Sequence, residues 1–196
     1  MIFKDLYRGI ELYLHIQGTE ARYLIKDFIN ESILDFLRLK EWERAKTVED
    51  IALDGSGQYD LDTILTNFFG GEIALLTEGG MELKKYNYDT YLQLTNKTDT
   101  YALLGNILFV EGDGVTLKFI YKTMGNPYPL VNDDDENLVT KYYWDIIKKM
   151  AEIKMLDYLG DEMSAKETQN LQLKLISLKE TENRIRKQGK FKMVNR

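Results

Sequence analysis

Between Thr19 and Trp42 the chain places Leu24, Ile25, Phe28, Ile29, Ile33, Phe36 and Leu37 at intervals of three and four. That spacing lays one apolar stripe along a helix, and Thr19, following Gly18, is the expected N-cap. The stretch before it repeats the rhythm with Phe3, Leu6, Tyr7, Ile10 and Leu14 and predicts a shorter helix. From Thr47 to Met124 the pattern changes: glycines cluster, and short runs of Val, Ile, Leu, Tyr and Phe alternate with polar residues, as in strands. "EIALLTEGGMELKKY" predicts a hairpin over Gly79 and Gly80, and "NILFVEGDGVTLKFIY" another over "EGDG". "YDTYLQL", between them, fits a short helix or a strand equally.

After "NPYPL" the helical period returns. Leu138, Val139, Tyr142, Tyr143, Ile146, Ile147, Met150 and Ile153 form a wide stripe, opened by "DDDE", whose aspartates are expected to cap free backbone N–H groups. This long helix should stop near Gly160. "SAKE", Ser164 to Glu167, then reads as a capping box for a last helix with Leu171, Leu175, Leu178 and Ile185 inside and Gly189 as its end. Helices, strands and helices in that order predict an α+β fold: a helical bundle built from both ends, an inserted antiparallel β subdomain and an extended C-terminal tail. The expected divisions are 1–44 for the first helices, 45–126 for the β-rich subdomain, 127–182 for the later helices and 183–196 for the tail. No fixed-period repeat is visible.

Composition adds constraints. The chain has 196 residues, 44% of them hydrophobic, enough to bury a core. It has no cysteine, so disulfides, thiolate metal sites and a cysteine nucleophile are excluded. The N-terminal stretch mixes charged and apolar residues, unlike a signal peptide, and no uncharged apolar run approaches the roughly 20 residues that span a bilayer. A soluble protein with no membrane partner is expected. The formal net charge is −6, yet the last fourteen residues carry six positive charges and no negative one. The rest of the chain therefore carries a net charge of about −12.

The inventory for catalysis is thin. His15 is the only histidine, which excludes a histidine pair or a facial triad within one chain and points to a surface or partner-facing role. Asp133, Asp135 and Asn137 match the first ligands of an EF-hand loop, but Leu138 replaces the required glycine and Trp144 the bidentate glutamate. "LDGSGQY" lacks the Gly-Lys-Ser/Thr of a phosphate loop, and "NFFGGE" lacks a following helix signature. Catalytic, cofactor-binding and metal-ligating residues are all expected to be absent, and the chain reads as a non-enzyme. Trp42 and Trp144 are expected in the core.

The order of landmarks resembles the head-to-tail adaptor, or connector, proteins of tailed bacteriophages, and the resemblance spans nearly the whole chain. It comprises "LIKDFINESILDFLRLKEW" with Asn30 and Trp42, a strand with the Tyr-x-Leu step Tyr59 and Leu61, and the β unit "YALLGNILFV" and "VTLKFIY" closing on Tyr121. "NPYPL" follows, then the acidic helix start, Tyr142, Tyr143 and Trp144, the "LGD" break at Leu159 to Asp161, and a final helix with its tail. Asp62 and Glu111 stand where such proteins often have proline. The resemblance implies a structural virion protein without catalytic activity, in a ring of about twelve copies at the portal vertex. Its implied partners are the portal protein and a downstream tail or second adaptor protein, with DNA passing through the lumen unbound. It further implies that the protein is synthesised in the bacterial host cytoplasm and ends in the virion, at the head-tail interface.

The same resemblance assigns portal binding to the tail: Arg184, Ile185, Arg186, Lys187, Lys190, Phe191, Lys192, Met193, Val194 and Arg196. These residues interleave charge with apolar anchors, and the tail is expected to be disordered until it docks. The competing reading is a nucleic-acid-binding protein with a basic C-terminal arm.

Overall fold

A computed structural model describes residues 1–40 and 42–194, with the side chains at 43, 71, 72, 113 and 186–194 outside that description. In chain order the elements are α1 (Phe3–Leu14), α2 (Thr19–Arg38), a 3-10 turn (Glu43–Ala45), β1 (Lys46–Asp54), β2 (Gln58–Asp60), α3 (Leu61–Ile64) and β3 (Phe68–Thr77). They continue with β4 (Lys84–Tyr86), α4 (Tyr88–Gln93), β5 (Thr100–Leu104), β6 (Ile107–Val110), β7 (Asp113–Thr123), α5 (Leu138–Leu159) and α6 (Met163–Val194). The fold is α+β, with helices from both ends of the chain flanking the strands in sequence. Two compact units result: Met1–Ala45 with Met124–Arg196, and Lys46–Thr123.

In the helical unit α2 packs on α5, α5 on α6, and α1 on both α2 and α5. The stripe of α2 is realised, with Ile25, Ile29, Ile33, Phe36 and Leu37 buried. Gly18, not Thr19, is the N-cap of α2. Its φ of 123° is open to glycine, and Thr19 becomes the first helical residue, so the helix starts without a side-chain cap.

Phe36 stacks on Trp42 with centroids 4.3 Å apart, Tyr143 closes on Phe36 at 4.8 Å, and the Trp42 indole N–H donates to the Phe36 carbonyl at 2.8 Å. At Tyr143 α5 leaves helical geometry (φ −128°, ψ 20°) and kinks. Successive helix residues turn by about 100°, so of Tyr142, Tyr143 and Trp144 only the middle ring enters the core. Trp144, expected inside, is 39% exposed.

The crossing back from the strands, residues 124–137, contains cis peptides before Pro127 and Pro129. Asn137 caps α5: its side chain accepts from the Thr140 N–H, and the Thr140 hydroxyl accepts from the Asn137 N–H. The aspartates expected in that role do something else. The carbonyls of Asp135 and Asp133 accept from the N–H groups of Phe3 and Lys4, so the acidic loop caps α1, whose own N-cap, Ile2, has no side-chain acceptor. Ser164 does not open a capping box either. Asp161 accepts from the Met163 N–H at 2.8 Å, because a carboxylate two residues ahead reaches the free donor first.

The β unit has two sheets, ordered β1-β7-β3 and β2-β6-β5-β4. The turn at Gly79 and Gly80 forms, but only a single bridge, Leu76 to Glu82, follows it before the chain departs to run parallel to β5 as β4. The sheets are therefore not wholly antiparallel. The "EGDG" hairpin is absent: β6 and β7 lie in different sheets. The long β7 takes partners on both edges, β1 and β3, while the short β6 pairs with β5 across the two-residue Gly105–Asn106 turn, where Gly105 has φ 61°. "YDTYLQL" resolves as helix α4, capped by Asn87. Alternation sorts the faces of the second sheet: Tyr101, Leu108 and Val110 join the core with Leu75, Leu117, Phe119 and Tyr121, while Ala102 and Phe109 pack with Tyr91 of α4.

Two substitutions test this core by urea denaturation. Phe36→Ala removes the central ring of the stack and should cost about 3–5 kcal/mol. Asn137→Ala removes the α5 cap and the donor to the Pro127 carbonyl and should cost about 1–3 kcal/mol.

Candidate functional site

Residues singled out by the sequence are spread across the helical unit. His15 ends α1 in left-handed geometry (φ 53°), its N–H donates to the Glu11 carbonyl, and its imidazole is exposed. Asp133 accepts from the Tyr7 hydroxyl at 2.9 Å and from Lys26 at 3.2 Å, and these bonds hold its carboxyl below the usual range. Burial pushes Asp135 up, but N–H donation from Val131 and Asn132 outweighs it. Both carboxylates are thus engaged in folding the loop, and among the described residues no group of three His, Cys, Asp or Glu could hold a metal ion. No helix of the described residues is long and apolar enough to cross a membrane.

The C-terminal segment differs from expectation. Gly189 does not end α6, which runs as one 32-residue helix from Met163 to Val194. A glycine costs a helix about 1 kcal/mol, and the Lys, Arg and Gln around it are good helix formers. Of the candidate portal-binding residues, Arg184 is exposed and Ile185 half-buried. The side chains of Arg186, Lys187, Lys190, Phe191, Lys192, Met193 and Val194, and the whole of Arg196, lie outside the described residues.

Where α6 meets the rest of its unit, three carboxylates occupy inward positions. Glu167, Leu171, Leu175, Leu178, Glu182 and Ile185 follow one helical stripe, whose middle is apolar and whose outer members include two buried glutamates. Glu167 pairs with Lys149 at 3.0 Å and accepts from the Tyr13 hydroxyl at 3.2 Å. Lys149 also pairs at 2.6 Å with Glu152, the third buried carboxylate, and lies 4.9 Å from the Tyr13 ring centre. Burial alone would push Lys149 down, but its bonds to Glu152 and Glu167 raise it.

At the other end Glu182 is 3.7 Å from Arg44, and Lys40 donates to the Asn183 side chain at 2.7 Å and to the Lys179 carbonyl. Burial first, and the Glu182 charge second, raise the Tyr143 hydroxyl well above its ordinary value. The sequence carried a signal for these charges in the stripe itself, because a glutamate continuing an apolar period points inward.

Such clusters clamp α6 at two points. Between them the opposite face of α6 exposes Leu173 (68%) and Ile176 (57%). Leu12, Tyr23 and Tyr158 are exposed on the other helices, so the apolar residues are not all consumed inside the bundle. No protein-family model matches this chain, and no curated protein matches it significantly.

The clamp has a pH dependence. The Lys149 hydrogen bond, ahead of the opposing effect of burial, lowers Glu167. Its stabilisation is complete above the unfolded glutamate value, about 4.3, and is lost as pH falls through the lower folded value. Glu167→Gln should therefore be less stable than the parent at pH 7, and the gap should close in acid. Urea midpoints measured across a pH series check this.

Proposed function

We propose that this chain is a head-to-tail adaptor of a tailed bacteriophage, a structural virion protein without catalytic activity or cofactor. In this reading about twelve copies form a ring between the portal protein and a tail or second adaptor protein, around the channel through which DNA leaves. The observation that supports it most is the order of landmarks over the whole chain, together with their structural work. Asn30, Trp42, Tyr121 and Tyr143 are internal fasteners rather than chemical groups, as suits a protein whose output is its shape.

Further support comes from the surface. A ring subunit meets neighbours on several sides, and exposed apolar residues on several helices provide the anchors such contacts need. The helical backbone of α6 continues for nine residues, 186 to 194, beyond half-buried Ile185, in the most basic part of an acidic chain. Opposite charge would steer that segment to a portal groove, and its apolar residues would hold it there. A net-negative body suits a lumen that must not grip phosphate. The basic segment is also the one feature favouring the alternative, a nucleic-acid-binding arm. Retention on DNA at physiological salt separates the two, since the adaptor should not be retained.

By light scattering the isolated protein should be largely monomeric and should form rings on adding portal rings of the same virus. Deleting residues 189–196 should leave the unfolding midpoint unchanged, because the anchors through Ile185 remain, and should abolish portal docking. Docking with unchanged affinity would move the attachment to the bundle itself.

A further inference from the structure

We propose that the open hollow at the corner between α1 and α2 binds a phosphate group. The inference is independent of the adaptor reading. The hollow has a volume of about 610 Å³. Arg8, Glu11 and Leu12 line it from one face of α1, being spaced by three or four residues, His15 from the C-cap of that helix, and Arg22 from α2. In a chain of net charge −6, its lining carries two guanidinium groups against one carboxylate, with an imidazole beside them.

The two arginines play different parts. Arg22 donates through Nε to Glu11 Oε1 at 2.7 Å and through Nη2 to Oε2 at 3.5 Å, so Glu11 fixes the guanidinium while three of its five N–H donors remain. A fixed fork loses less freedom on binding than a mobile one. Arg8 is exposed and has no hydrogen-bond or ion-pair partner among the described residues. No hydrogen bond or ion pair among the described residues compensates its charge.

Gly18 lines the hollow at the start of α2, with open space where a Cβ would stand. A ligand can approach the backbone there, and no side chain of an N-cap residue competes for the N–H groups of the first turn. Leu12, 76% exposed, and Ile16 supply an apolar wall against which the body of a phosphate ester can rest.

The donor arrangement selects phosphate over a carboxylate. A carboxylate offers two oxygens in one plane, and Glu11 already supplies those to Arg22. A phosphate monoester dianion offers three terminal oxygens in a tetrahedral array and twice the charge, so it can engage Arg8, Arg22 and the helix start from different sides.

The full chain, isotope-labelled, is titrated with inorganic phosphate, with acetate and with a short single-stranded oligonucleotide, and followed by NMR. Phosphate should shift the Gly18 to Ala21 amides and the Arg8 and Arg22 Nε–H signals along one saturating curve, with acetate at least about tenfold weaker. Arg8→Gln, which disturbs no contact, should weaken phosphate binding about tenfold with an unchanged urea midpoint, while Lys174→Gln on α6 should leave it unaltered. If the oligonucleotide moves the same signals, the phosphate belongs to nucleic acid. If only inorganic phosphate does, the ligand is a small phosphorylated molecule. Shifts that do not saturate, acetate binding as tight as phosphate, or insensitivity to Arg8→Gln would each overturn the site.

Discussion

The side-chain amide of Asn30 holds the helical unit closed. Its Nδ2 donates to the Leu130 carbonyl at 3.0 Å and its Oδ1 accepts from the Leu130 N–H at 2.9 Å, so one residue of α2 pairs with the returning chain as a neighbouring strand would. The Tyr128 hydroxyl donates to the Asn30 carbonyl beside it. This matters because residues 46–123 form a compact unit of their own, and the chain then rejoins the helices of its first 45 residues. The rejoining segment has two prolines and no regular structure, so its backbone polar groups need partners of their own. Asn30 fixes its middle, Asn137 fixes its end through the Pro127 carbonyl, and the carbonyls of Asp133 and Asp135 fix the start of α1. Gly125 is required in this arrangement, since a Cβ there would lie 2.5 Å from Asn137 Cγ at a φ of 99°.

The second constraint is register along α6. Leucines alone allow a long helix to slide by a turn, because one leucine stripe looks much like the next. Buried glutamates do not, since an unpaired buried carboxylate is costly. Glu167 facing Lys149 and Tyr13, and Glu182 facing Arg44, fix α6 at two places fifteen residues apart in the sequence. The apolar contacts of Leu171, Leu175 and Leu178 lie between them.

These two devices account for the polar groups that first invite a chemical reading. The acidic run, the buried glutamates and most of the tyrosine hydroxyls with described partners are engaged in holding elements together. Apolar residues are exposed on several helices, the backbone of α6 stays helical to Val194, and the α1–α2 corner holds a hollow with a cationic lining. The proposed adaptor role draws on the first two. The hollow stands apart from it: Glu11 aligns one arginine, and Arg8 has no hydrogen-bond or ion-pair partner among the described residues.

The sequence by itself determined the α+β class, the position of the helical and strand regions, and the inward faces of α1, α2 and α5, because hydrophobic period follows from backbone geometry. It also carried the inward glutamates of α6, which continue an apolar period. Tertiary structure alone decided which strands pair. β6 and β7 are adjacent in sequence yet enter different sheets, since a strand with two long partners satisfies more of its backbone than a hairpin would. It decided which of three consecutive aromatics is buried, because the place for a ring in α5 is made by Phe36 and Trp42, about a hundred residues earlier in the chain. It also decided that the acidic loop caps α1 rather than α5. Capping follows whichever free N–H lies nearest in space, and that distance is not written in the order of residues.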